Sequence, residues 1–73
     1  MNLNFYQFLR RYANPEDRSP KARLANIAVK DTGFPKHSDN FDEISKYMES
    51  HPDYGSLMVV FDDVWQSYQL EKI

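Results

Sequence analysis

The sequence predicts an all-α domain, a compact bundle of four helices. Three observations carry that expectation. Apolar residues recur at helical spacing in four separate stretches, filling every position of the i, i+3, i+4, i+7 pattern in the first and last and part of it in the second and third. Helix-starting residues stand before those stretches, at Asn4, Ser19 and Asn40. The connectors are short, and no sustained polar–apolar alternation marks a strand. Four such helices close on one another as a bundle.

The first helix begins after Asn4. Gln7, three residues on, completes a capping box, and Leu3 with Phe8 suits a hydrophobic staple. Phe5, Phe8, Leu9 and Tyr12 form its apolar face, while Arg10 and Arg11 lie off it. Asn14-Pro15 is expected to end it, because the residue before proline is pushed out of the α region. A polar loop runs from Ala13 to Arg18. Ser19-Pro20 starts the second helix, with serine as N-cap and proline at the first helical position. Leu24, Ile27 and Ala28 form its stripe, and Gly33 is the expected C-cap. Asp31 continues that stripe, seven residues after Leu24, so it should face the protein.

Phe34 to Asp39 is too rich for a plain linker. Two aromatics, Phe34 and Phe41, bracket a proline, a cation and His37, so the segment should pack. Asn40 with Glu43 offers a second capping box, and Phe41, Ile44 and Met48 give the third helix its stripe. Ser50-His51-Pro52-Asp53 breaks it. Leu57, Val60, Phe61, Val64, Trp65 and Tyr68 then form the broad face of a fourth helix.

The totals narrow the class. At 73 residues this is one domain, residues 1–73. A core of that size leans on its aromatics, each able to bury about 150–250 Å². Without cysteine there is no disulfide and no thiolate metal site, which suits a reducing cytoplasm. Met1-Asn2-Leu3-Asn4 lacks the basic and apolar regions of a signal peptide, and no run approaches a membrane span. A cytoplasmic protein without membrane contact is the expectation. The net charge of −2 hides a split: residues 1–36 sum to +4 and residues 37–73 to −6. Such a split either joins the two halves of the chain or offers partners two surfaces of opposite sign.

The motifs resemble a known family. Phe5-Tyr6-Gln7-Phe8, then Arg23-Leu24-Ala25 with Ile27 and Asp31, are similar to the opening and second-helix patterns of the small YozE-like proteins of Gram-positive bacteria. Phe34-Pro35-Lys36-His37-Ser38 with Phe41, Ile44, Ser45 and Tyr47 resembles their central signature. Phe61-Asp62 with Trp65 and Tyr68 resembles their last helix. The Ala13–Ser19 loop departs from that pattern. The resemblance implies a bundle of sterile-alpha-motif-like fold, with no cofactor and no assigned catalytic residue.

The residues themselves argue against an enzyme. Asp42-Glu43 and Asp62-Asp63 are adjacent pairs, and neighbours on a helix splay by about 100°, so neither pair converges on one substrate atom. His37 and Ser38, side by side, make a poor nucleophile–base pair. His51, Asp53 and Glu49 lack the spacing of a closed metal site. Neither cofactor nor small-molecule substrate is expected.

Binding is the better expectation. Arg10, Arg11, Arg18, Lys21 and Arg23 form one candidate partner surface, and Asp62, Asp63 and Glu71, to which Asp42 and Glu43 can add, form another. Together they suit docking to a protein partner or head-to-tail self-association. Lys36 and His37, beside the third helix's start, suit an anion, unless Asp31 holds them or the backbone of the 33–38 turn. The alternative is nucleic acid gripped by the five cations with Tyr6 and Tyr12. Against it, the pI of 5.5 is well below the value above ~9 that marks such domains.

Overall fold

The computed structural model describes residues 3–71. Met1 and Asn2, half of the signal-peptide argument, and Lys72, part of the charge balance, lie outside the described residues. Helix α1 spans Phe5–Leu9 and tightens into a 3₁₀ turn, Arg10–Tyr12. Helix α2 is Pro20–Lys30 and α3 is Phe41–Glu49. A second 3₁₀ segment, Pro52–Leu57, leads into α4, Met58–Glu71. No strand occurs among the described residues.

Local chemistry sets most boundaries. Asn4 accepts the Gln7 N–H, and the Gln7 side chain accepts the Asn4 N–H in return. Ser19 accepts the Ala22 N–H, with Pro20 at the first helical position. Asn40 accepts the Glu43 N–H, so half of the expected box is present there. Two boundaries differ from the sequence reading. α1 gives up α geometry after Leu9, before Asn14-Pro15 is reached. Gly33 is not the C-cap of α2: the helix ends at Lys30, Asp31 is already extended, and neither glycine has positive φ. A Cβ on Gly33 would stand 3.1 Å from the Tyr47 hydroxyl, so glycine serves close approach there instead of a left-handed turn.

The core is rich in aromatic rings. Phe5 is fully buried and meets the Phe61 ring edge-on at 5.5 Å, with Trp65 at 4.9 Å and Tyr68 at 5.6 Å. Leu24, Ala25 and Ala28 bring α2 onto the same cluster, joined by Ile44 and Met48 of α3. Phe34 anchors the connector, 4% exposed, against Tyr6, Tyr47 and Tyr54. Phe41 is 38% exposed yet stacks flat on Phe61 at 5.3 Å. The radius of gyration is 11.3 Å, which equals the value of about 11 Å expected for a compact chain of this length.

Two aspartates tie distant elements together. Asp31, at the end of α2, takes both the Tyr47 hydroxyl (2.6 Å) and the Tyr54 hydroxyl (2.8 Å) on Oδ2. Its Oδ1 accepts the Gly33 N–H at 3.0 Å. Asp39, in the connector, accepts the Phe5 N–H at 3.0 Å and the Tyr68 hydroxyl at 2.7 Å, both on Oδ1. The first clasp joins α2 to α3 and the second 3₁₀ segment. The second clasp joins the connector to the starts of α1 and the end of α4. It also meets a backbone donor that the first turn of α1 cannot satisfy internally.

Candidate interaction surface

The five candidate cations lie on the first 3₁₀ turn, in the loop before α2 and at the start of α2. Arg10 and Arg11 sit on the first 3₁₀ turn, which packs against α2. Arg18 precedes α2, and Lys21 and Arg23 lie in its first turn. Arg10, Arg11, Arg18 and Arg23 are exposed, and Lys21 is half-buried. Two of them have internal work. Arg11 donates to Glu71 Oε1 at 3.3 Å, and its guanidinium lies over the Phe8 ring. Lys21 extends over the Tyr12 ring, 5.8 Å from its centroid.

Two acidic residues of α4, Asp63 and Glu71, lie next to this region, not across the molecule from it. Asp62 and Asp63 are both exposed. Asp63 lines a groove of about 380 Å³ with Val59 and Val60, and Ser19, Pro20 and Lys21 form the facing wall. At the far end of α4, Glu71 reaches the Arg11 guanidinium. Part of the charge split therefore meets along an α2–α4 seam, at Lys21 and Asp63, and part where the first 3₁₀ turn nears the end of α4, at Arg11 and Glu71. The Arg11–Glu71 pair is exposed on both sides, so it is worth about 0–1 kcal/mol and sets no geometry by itself.

Lys36 and His37 are separate from that seam and from Asp31. Lys36 turns onto the Tyr6 ring, 5.6 Å from its centroid. His37 is exposed on a shallow hollow it shares with Thr32, Phe34 and Glu43. The Asp31 partners are thus two phenols and the Gly33 N–H, in place of Lys36 or His37. Tyr54 comes from 23 positions down the chain, beyond the reach of any local spacing rule.

The electrostatics of the Asp31 corner follow from these bonds. Partial burial pushes the carboxyl up, but the hydroxyls of Tyr47 and Tyr54, the Gly33 N–H and the nearby His51 outweigh it, leaving the carboxyl below its usual range. The Tyr47 phenol is pushed up to about 12 by desolvation and by its bond to the charged Asp31. Tyr54 rises for the same two reasons. Burial, then the bond to Asp39, raises Tyr68. His51 packs against the Tyr47 ring at 4.4 Å. Among the described residues, no group of three or more His, Asp or Glu is gathered as a metal ion would need.

The family description "YozE SAM-like fold" matches residues 4–70. The chain belongs to that family. It is 48% identical over 68 residues to a UPF0346 protein of Limosilactobacillus reuteri, covering 93% of each chain. It is 43% identical over 68 residues to a UPF0346 protein of Streptococcus pneumoniae, covering 93% of this chain and 96% of that one. The all-helical architecture above is that of the YozE SAM-like family. No helix among its described residues is long and apolar enough to cross a membrane.

Reading the motifs of this YozE-family chain from sequence missed one surface residue and the bonds of two clasp residues. Val59 is 79% exposed on the groove wall, although its neighbours Met58 and Val60 suggest a buried run. Tyr54, one of the aromatics expected to build the core, is fully buried, but its bond to Asp31 carries no local signal. Asp39 closes the connector expected to pack, and its bonds to the Phe5 N–H and the Tyr68 hydroxyl carry no local signal. The period of α4 held a signal for Val59: it falls outside the stripe of Val60, Phe61, Val64 and Tyr68.

Proposed function

We propose that this YozE-family protein is a cytoplasmic protein–protein interaction module without catalytic activity. The observation that carries the reading is the α2–α4 seam, where an exposed apolar residue, a cation and an acid line one groove. A surface of mixed sign around an apolar centre selects a partner by complementarity. The partner surface in this reading takes in Arg10, Arg11, Arg18, Lys21 and Arg23 on the basic side and Asp62 and Asp63 on α4, of which Lys21 and Asp63 line the groove. The tightest polar cluster, Asp31 with Tyr47 and Tyr54, has its donors and acceptors committed to one another, which suits a structural role better than acid–base work. Nucleic acid fits less well, because Glu71 engages Arg11 and Asp63 interrupts the cationic surface beside Lys21.

Capture from a bacterial lysate tests this reading, with and without nuclease. The baits are the natural protein and a variant with the five cations neutralised. A discrete protein that survives nuclease and is lost with the variant is the expected result. Material that disappears with nuclease would instead favour a nucleic-acid partner.

A further inference from the structure

We infer that the α2–α4 groove binds a second copy of this chain about a two-fold axis. The inference deepens the interaction reading above and rests on it. Val59 is the most exposed large apolar side chain among the described residues, at 79%, and it stands on the groove wall. Its position on α4 gives it no role in the core, where Phe61, Val64 and Tyr68 are buried. The two walls carry opposite charges: Lys21 on the α2 side and Asp63 on the α4 side. Neither is consumed in an ion pair among the described residues, where Arg11–Glu71 is the pair formed.

A patch with one cation and one acid on opposite walls is complementary to itself. A two-fold axis lays the α2 wall of one copy on the α4 wall of the other. Each Lys21 then faces Asp63 of the second copy, so the charge match is made twice. Each Val59 enters the opposing groove, between Pro20 and Val60, and leaves water. The α2 wall is well placed for this, since Lys21 is steadied over Tyr12 and loses less freedom on pairing. A head-to-tail chain would need the basic and acidic surfaces on separate faces, whereas the seam puts both in one groove. The contact is small, so association is weak and strengthened at low ionic strength.

Sedimentation equilibrium of the purified protein tests the inference, from about 1 μM to about 1 mM at low salt, the range that spans weak association. The natural protein should pass from monomer to dimer across that range. Lys21→Glu and Asp63→Lys each place like charges against one another twice, and each should leave the protein monomeric. The double variant K21E/D63K restores both pairs and should restore the dimer. Val59→Ser should weaken association roughly a hundredfold, because the two-fold contact loses two buried apolar side chains, each worth about tenfold. Leu70→Ser, on the same helix at 73% exposure but away from the groove, should leave it unchanged. Circular dichroism checks that every variant is folded, and all four sites are on helix surfaces. A natural protein that stays monomeric throughout overturns the inference, as does a folded double variant that fails to dimerise or a Leu70→Ser effect equal to that of Val59→Ser. If the natural protein is monomeric yet still captures a nuclease-resistant protein from lysate, the two-fold contact fails while the interaction module stands. If it does neither, both fall.

Discussion

The Asp31 corner and the α2–α4 groove both bring a carboxylate beside another element, and they treat it in opposite ways. Asp31 receives two phenols and a backbone N–H, and the donors are drawn from α3, the second 3₁₀ segment and the turn after α2. Asp63 lies on an open wall facing Lys21, with an apolar side chain exposed beside it. In the first region the charge is spent on holding elements together. In the second it stays available to a partner. Substitutions at the corner should therefore change stability and leave binding alone, and substitutions at the groove should do the reverse.

The largest effect should come from Asp31→Ala. It strands the buried Tyr54 hydroxyl, the Tyr47 hydroxyl and the Gly33 N–H, and should cost about 3 kcal/mol in urea unfolding. An unchanged midpoint would show that the clasp contributes nothing. The variant's folded fraction should still associate as the natural protein does.

Removing single hydroxyls separates the two phenols. Tyr54 is fully buried and Tyr47 half-buried, so water can replace one partner and not the other. Tyr54→Phe should cost about 1.5 kcal/mol and Tyr47→Phe about 0.5 kcal/mol by the same unfolding measurement. Equal costs would mean that burial does not set the value of these bonds.

The same corner predicts how stability varies with pH. Asp31 has a folded pKa below its ordinary 3.8, so its contribution is fully present above pH 4 and disappears as pH falls through the lowered folded value. Tyr47 is displaced the other way, from 10.0 to about 12, so its contribution is fully present below pH 10 and disappears between pH 10 and about 12. Thermal melts should hold a plateau between these limits. In Tyr47→Phe the alkaline decline should shrink, and an identical decline would assign it to other groups.

The smallest stability effect belongs to the groove. Val59→Ser removes an exposed side chain from a helix surface and should shift unfolding by no more than about 0.5 kcal/mol. A larger shift would mean that Val59 supports the fold, which would blur the contrast between the two regions.

Much of this architecture was legible along the chain. Asn4, Ser19 and Asn40 cap the three helices they were read to start, because a cap is a bond between residues three apart. The apolar stripes marked Phe8, Leu24, Ile44, Met48, Phe61 and Val64, all of which are buried. Asp31 was marked as facing inward by its place on the α2 stripe. Each of these readings depends on neighbours within two helical turns.

Tertiary structure decided the rest, because the deciding partners are far apart in sequence. The Asp31–Tyr54 bond spans 23 positions and the Asp39–Tyr68 bond 29. Gly33 reads as a helix cap until the Tyr47 hydroxyl is seen 3.1 Å from where its Cβ would be. The charge split is plain in the sequence, but its two signs become one groove when α2 packs on α4 and brings Lys21 and Asp63 to facing walls. Helix periodicity specifies which face of each helix turns inward. It leaves open which helices become neighbours, and that choice fixed the clasps and the candidate surface alike.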